Sequence, residues 1–166
     1  MKILAAAVFV ALVAAANWLT AQYGIVADLV TAGTFAAGLV LLVRDWLQEA
    51  GGRWWVLASI AAGAALSVWM ATPRLAIASG VAFAVSELAD YAAYTPLRKR
   101  APAGAMALSN TVGAVFDSLL FLTLAGFPLA GWATQSGIKV AVTLPFIVGV
   151  VVARALLRHR LRAQGA

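Results

Sequence analysis

Residues 75–97 read LAIASGVAFAVSELADYAAYTPL, and only Glu87 and Asp90 in that stretch carry charge. A helix crossing the hydrocarbon core of a bilayer needs about 20 largely apolar residues, so this run reads as a transmembrane helix. Thr72-Pro73-Arg74 precedes it and Arg98-Lys99-Arg100-Ala101-Pro102 follows it, sharp boundaries of the kind that Pro and clustered charge impose. Working outward, comparable runs fall at about 3–20, 30–48 and 54–71 before it and at 105–125 and 133–157 after it. Tyr23-Gly24, Gly51-Gly52-Arg53 and Gly126-Phe127-Pro128 mark further breaks between runs. The expected fold is all-α: a single transmembrane domain over residues 1–166, a bundle of six helices with short loops and a basic tail at 158–166.

Composition agrees. Of 166 residues, 64% are hydrophobic and 11% charged, against about 25% charged in a soluble domain. So few charges cannot coat a water-facing surface, and six spans leave no room for a separate soluble domain. Cysteine is absent and the one histidine, His159, lies in the basic tail. Disulfides, thiol catalysis and Cys/His metal sites are thereby excluded. No carboxylate spacing suggests a metal pair, so neither an enzyme nor a metal or cofactor site is expected.

The net charge of +6 would suit nucleic acid, but its distribution points to the membrane. Lys2, Arg53, Arg98, Lys99, Arg100, Arg154, Arg158, Arg160 and Arg162 fall at the N-terminus, after even-numbered helices or at the C-terminus. Only Arg74 falls on the other side, and Arg44 and Lys139 lie within spans. Basic residues stay cytoplasmic, so both termini are expected inside, in the cell (inner) membrane. Indoles favour the headgroup zone. Trp18, Trp69 and Trp132 sit at expected outer ends, and Trp46, Trp54 and Trp55 at inner ends. The tail would then meet anionic lipid rather than nucleic acid. Lys2, an apolar run and Ala14-Ala15-Ala16 resemble a cleavable signal, but the run continues to Trp18, as a retained helix would.

Ionisable groups within spans are costly to insert and usually mark function. On the fourth helix Phe83, Glu87, Asp90, Tyr91 and Tyr94 recur at helical spacing on one face. Glu87 lies roughly 20 Å from the helix start, in the inner half. The fifth helix places Asn110 and Asp117 on one face with Phe121 one turn on. The second ends with Asp45 and Glu49 four residues apart, while Arg44 points elsewhere; near the inner interface, Arg44 and Glu49 are expected to serve packing, as in a pair between Arg44 and an acid of another helix, or to snorkel to the headgroups. The sixth carries Gln135, Lys139 and Thr143 on one face, with Pro145 as an expected kink. Such groups could simply pair and lock the packing. Acids outnumber bases at that depth, however, and an unpaired carboxylate needs a proton, a cation or a substrate with donors. The expectation is a shared, partly wet chamber between the second, fourth and fifth helices. Ala7, Ala11 and Ala15 form a small-residue stripe on the first helix, expected to serve internal packing.

The order of these motifs resembles the VUT family of vitamin uptake transporters, associated with queuosine precursor transport. The likeness rests on Asp45-x-x-x-Glu49 with a following glycine and basic residue, and on Ser86-Glu87-x-x-Asp90 running to Tyr94 and a basic cap. It rests also on Ser109-Asn110-x-x-Gly113-x-x-x-Asp117-Ser118, and on Lys139 followed by Pro145. Arg44 stands where the family often has Ser, Gly51 where it often has an aromatic residue, and the loops are shorter. The resemblance implies a carrier importing 7-cyano- or 7-aminomethyl-7-deazaguanine or a similar nucleobase or vitamin. Glu87, Asp90 or Asp117 would then take the donor edge of the base. Tyr91, Tyr94 or Phe83 would stack on it, Asn110, Gln135 or Lys139 would reach its carbonyl, and Asp45 would complete the substrate-binding set. A proton is the coupling ion that membrane carboxylates suit. The alternative is a substrate-binding subunit of an energy-coupling-factor importer, whose partner protein would meet the alanine stripe. A homo-oligomer is a further possibility.

Overall fold

A computed structural model describes residues 1–27, 29–97 and 100–164. The side chains of 45, 49, 102–103, 146–147, 150–151, 153–155 and 157–166 lie outside that description. Among the described residues the chain forms six α-helices: α1 Lys2–Tyr23, α2 Thr34–Gly51, α3 Arg53–Met70, α4 Pro73–Leu97, α5 Pro102–Ala125 and α6 Trp132–Gln164. Two short strands, β1 Ile25–Ala27 and β2 Val30–Thr31, pair antiparallel between α1 and α2. A single 3₁₀ turn at Leu129–Gly131 leads into α6.

Among the described residues four helical stretches are long and apolar enough to cross a membrane: Lys2–Tyr23, Arg53–Met70, Pro73–Leu97 and Gly104–Ala125. α2 and α6 carry charge into the bundle. α2 holds Arg44, Asp45 and Glu49 within its 18 residues, and α6 opens with Gln135, Ser136 and Lys139. The expected second run begins four residues too early, because Val30 and Thr31 are in β2 and not in helix. The β-branched pair suits an extended segment, and Gly33 then brings the chain against α1. A Cβ on Gly33 would collide with the backbone carbonyl of Ala16, so only glycine allows this approach. The last helix, expected to end near 157, runs on through the basic tail as far as Gln164. Its Leu, Ala and Arg residues are good helix formers, and cations favour a helix C-terminus.

Helix ends follow from local chemistry. Gly52 at φ 80° separates α2 from α3. Gly126 in the left-handed conformation closes α5, a backbone state that costs a residue with a Cβ. Arg74 lies against this turn, and its Nε donates to the Leu124 carbonyl at 3.1 Å. The one basic residue that departs from the charge bias thus caps the orphan carbonyls of α5.

The helices close into a ring in which α1 packs on α3, α3 on α4, α4 on α5, α5 on α6, α6 on α2 and α2 on α1. The α4–α5 contact is the most extensive, with Ser86 and Asp90 of α4 lying against Gly113 of α5. Burial is inverted relative to a soluble protein. Lys139 and Arg44 are 2% and 4% exposed, whereas Trp69 and Leu88 are 90% and 64% exposed. Polar groups inside and large apolar groups outside are what a lipid solvent selects. At one end of the ring Lys2 Nζ lies 5.1 Å from the Trp55 ring and Arg53 lies 5.9 Å from the Trp54 ring. This is the basic, indole-rich end.

Candidate functional site

Two polar layers occupy the ring interior, one above the other. The first lies toward the hairpin. It borders a small polar cleft of about 30 Å³, room for water-sized groups, so a solute would have to widen it. α1 contributes Ala16, Asn17 and Thr20 to its wall; the β2–α2 segment contributes Thr31, Gly33, Thr34 and Ala37. Ser79 of α4, Asp117 and Phe121 of α5, and Gln135 and Lys139 of α6 complete it.

At the centre of this wall Lys139 Nζ donates to Asp117 Oδ2 at 2.6 Å and to Ser118 Oγ at 3.0 Å. An ammonium has three donors, so one remains for a ligand or a water. Asp117 Oδ1 has no hydrogen-bond partner among the described residues and belongs to a residue that lines the cleft. A free acceptor and a free donor therefore stand side by side in a largely buried setting, where charge-assisted bonds are strongest.

Gln135 is used up structurally. Its Oε1 accepts from Thr34 Oγ1 at 3.2 Å and from Thr31 Oγ1 at 3.5 Å, while its Nε2 donates to the Leu29 carbonyl at 3.2 Å. It ties the hairpin to α6 and so closes one end of the cleft. Asn17 donates from Nδ2 to Ser67 Oγ at 2.9 Å, which fastens α1 to α3. Asn17, Ser79 and Thr20 are wall residues that the motif spacing does not single out. An isolated Asn one residue before Trp18 in an otherwise apolar run is the signal available in the sequence.

The second layer lies deeper. Arg44 Nη1 contacts Glu87 Oε2 at 2.6 Å and Asp90 Oδ2 at 3.3 Å. Arg44 does pair with acids of another helix. Asp90 lies against Gly113 of α5, so the two layers are about 6 Å apart in level, the rise from Gly113 to Asp117. Phe83, Val40, Leu41 and Ala114 belong to the apolar core that separates them.

The expected convergence of Glu87, Asp90 and Asp117 is thus divided. Asp117, Gln135 and Lys139 border the cleft, and Glu87, Asp90 and Asn110 do not. The reason is pairing: α2 presents Arg44 to α4, and α6 presents Lys139 to α5. Phe83 packs edge-on against Phe9, with ring centres 5.5 Å apart. Tyr91 is 54% exposed on the outside of the ring, near Arg53, and Tyr94 is half-buried away from the cleft. The aromatic ring of the cleft is Phe121, stacked on Phe127 at 6.1 Å. The side chains of Asp45 and Glu49 lie outside the described residues. Among the described residues no group of three or more His, Cys, Asp or Glu could hold a metal ion.

No curated protein and no solved structure matches the chain. A family model does match residues 2–158, and its description is "putative vitamin uptake transporter". The match covers nearly the whole ring of helices, both polar layers included. With its lipid-facing exterior and polar interior, this multi-pass membrane chain belongs to the vitamin uptake transporter family.

Proposed function

We propose that the protein imports a small planar solute through the Asp117–Lys139 cleft, with 7-cyano- or 7-aminomethyl-7-deazaguanine as the preferred substrate. The observation that carries this reading is the pairing of Asp117 and Lys139 at 2.6 Å on the cleft wall. A deazaguanine edge presents two N–H donors beside a carbonyl. Asp117 accepts from the donors, and the remaining N–H of Lys139 reaches the carbonyl. Phe121 offers the ring face, a contact worth about 1–3 kcal/mol per base in nucleic-acid binders. All six helices span the cell (inner) membrane in this reading, with both termini cytoplasmic. The hairpin end of the cleft then faces outward, as uptake requires.

The test is a thermal-shift series on purified protein against deazapurines, purines, biotin and other vitamins, since a bound ligand stabilises by mass action. A 7-deazaguanine should raise the melting temperature of the wild type and leave Asp117→Asn unmoved. Stabilisation by an unrelated vitamin alone would reassign the substrate. An equal response from Asp117→Asn would reassign the site.

One observation favours a second reading, a substrate-binding subunit coupled to a separate energising partner. Ala7 and Ala11 face outward and Ala15 is half-buried, so the stripe does not serve packing within the ring as expected. A row of small residues on the outer surface suits close approach by another helix. Uptake by the protein alone in liposomes supports the carrier; binding without uptake supports the subunit.

A further inference from the structure

The deeper layer contains two buried oxygen acceptors without a donor: Asp90 Oδ1 and Asn110 Oδ1. Buried polar atoms in folded proteins nearly always have partners, and the exceptions call for a missing donor. Asp90 belongs to the α4–α5 contact. Asp90 Oδ1 lies 3.8 Å from where a Gly113 Cβ would stand, and Asn110 is one turn from Gly113 on the same face of α5. Asn110 is 5% exposed, so bulk water cannot supply the donor freely. A metal cation is a poor candidate, because the guanidinium of Arg44 already stands 3.3 Å from Asp90 Oδ2. Two acceptors that lack one donor form the pattern that a single proton completes.

We propose that Asp90 is a proton-carrying group of this transporter. The proton adds to Oδ1 as an O–H bond, Oδ2 stays with Arg44, and the new O–H donates across the helix contact toward Asn110 Oδ1. The proton comes from water on the acidic side of the membrane and returns to water on the other side, so charge and atoms balance without any co-reactant. The charged or titratable groups around it are Arg44 on α2 and Glu87 and Tyr94 on α4; α5 offers the neutral Asn110. Arg53 on α3 is engaged with the Trp54 and Tyr91 rings, Lys2 on α1 with Trp55, and Lys139 on α6 with Asp117. Asp45 and Glu49 on α2 have side chains outside the described residues. The inference rests on the transporter reading but uses a different layer from the substrate cleft.

In proteoliposomes an inward proton gradient should drive accumulation of a 7-deazaguanine by the wild type. D90N imitates the permanently protonated acid, so it should lose gradient-driven accumulation while exchanging labelled for unlabelled solute at zero gradient. Asn110→Ala removes the acceptor and should move the half-maximal pH of uptake about one unit to acid, a tenfold loss of proton affinity. Accumulation by D90N driven as in the wild type would overturn the proposal. The infrared spectrum of the purified protein needs no substrate: the wild type minus D90N difference should contain a protonated-carboxyl C=O band that shifts in D₂O. Absence of that band at every pH tested would overturn the proposal too. Absence of uptake with the band present would fault the choice of solute and leave Asp90 as the proton carrier.

Discussion

Replacing Lys139 with Met removes the charge that faces Asp117 while keeping much of the stem that fills the α5–α6 contact. The ammonium is 2% exposed and the carboxylate side chain 10% exposed, with 2.6 Å between them and a further 3.0 Å bond to Ser118. Breaking one partner of a buried pair typically costs about 3–5 kcal/mol, because the other charge stays uncompensated. For a chain of this size each kcal/mol shifts the melting temperature by about 2–4 °C. Lys139→Met should therefore lower it by roughly 6–20 °C in detergent. Adding Asp117→Asn removes the stranded charge, so the double variant should recover more than half of that loss, a coupling well above the ~0.5 kcal/mol of independent sites. Neither variant should bind the solute. The assay is thermal unfolding of the four members of the cycle, each with and without ligand. A single variant within about 2 °C of wild type, or a double variant no better than the single, would show that the pair is not buried as described.

Gly33→Ala forces a Cβ into the Ala16 carbonyl and should displace the hairpin, at a cost of about 1–3 kcal/mol, read as a lower melting temperature together with weaker ligand binding. Gln135→Leu leaves the Leu29 carbonyl, Thr31 and Thr34 without their shared partner; proteolysis between Gly24 and Thr31 should accelerate several-fold, and an unchanged rate would mean that the tie to α6 is unimportant. Tyr91→Ala, outside the ring, should leave uptake within about twofold of wild type, because exposed positions contribute little. Since the chain has no cysteine, Tyr23→Cys and Arg100→Cys test topology directly: an impermeant thiol reagent should label the first from outside intact cells and the second only after permeabilisation.

The helices were legible in the sequence because lipid imposes one rule on every span. Backbone groups must be satisfied within the segment and side chains must be mostly apolar. Hydropathy therefore places α3, α4 and α5 to within a few residues, and charge and indole positions agree on which ends lie together. The partnership of Arg44 with acids on another helix was one of the readings open in the sequence, beside snorkelling to the inner interface. The hairpin was not. Val30 and Thr31 are as apolar as the helix they precede, and their extended form depends on Gly33 meeting Ala16, a contact between residues far apart in sequence.

Periodicity assigns each side chain to a face of its own helix, which was enough to group Glu87 with Asp90 and Asn110 with Asp117. It carries no information on how each helix is rotated against its neighbours or which neighbours it has. The closed order α1–α3–α4–α5–α6–α2 sets those rotations. It places Arg44 opposite Glu87 and Asp90, Lys139 opposite Asp117, and an apolar layer of Phe83, Val40, Leu41 and Ala114 between them. The residue types and their depth belong to the linear chain. Which charge neutralises which, and hence which acceptors remain free, was decided by tertiary packing, because a Coulomb partner is selected by distance in space and not by spacing along the sequence.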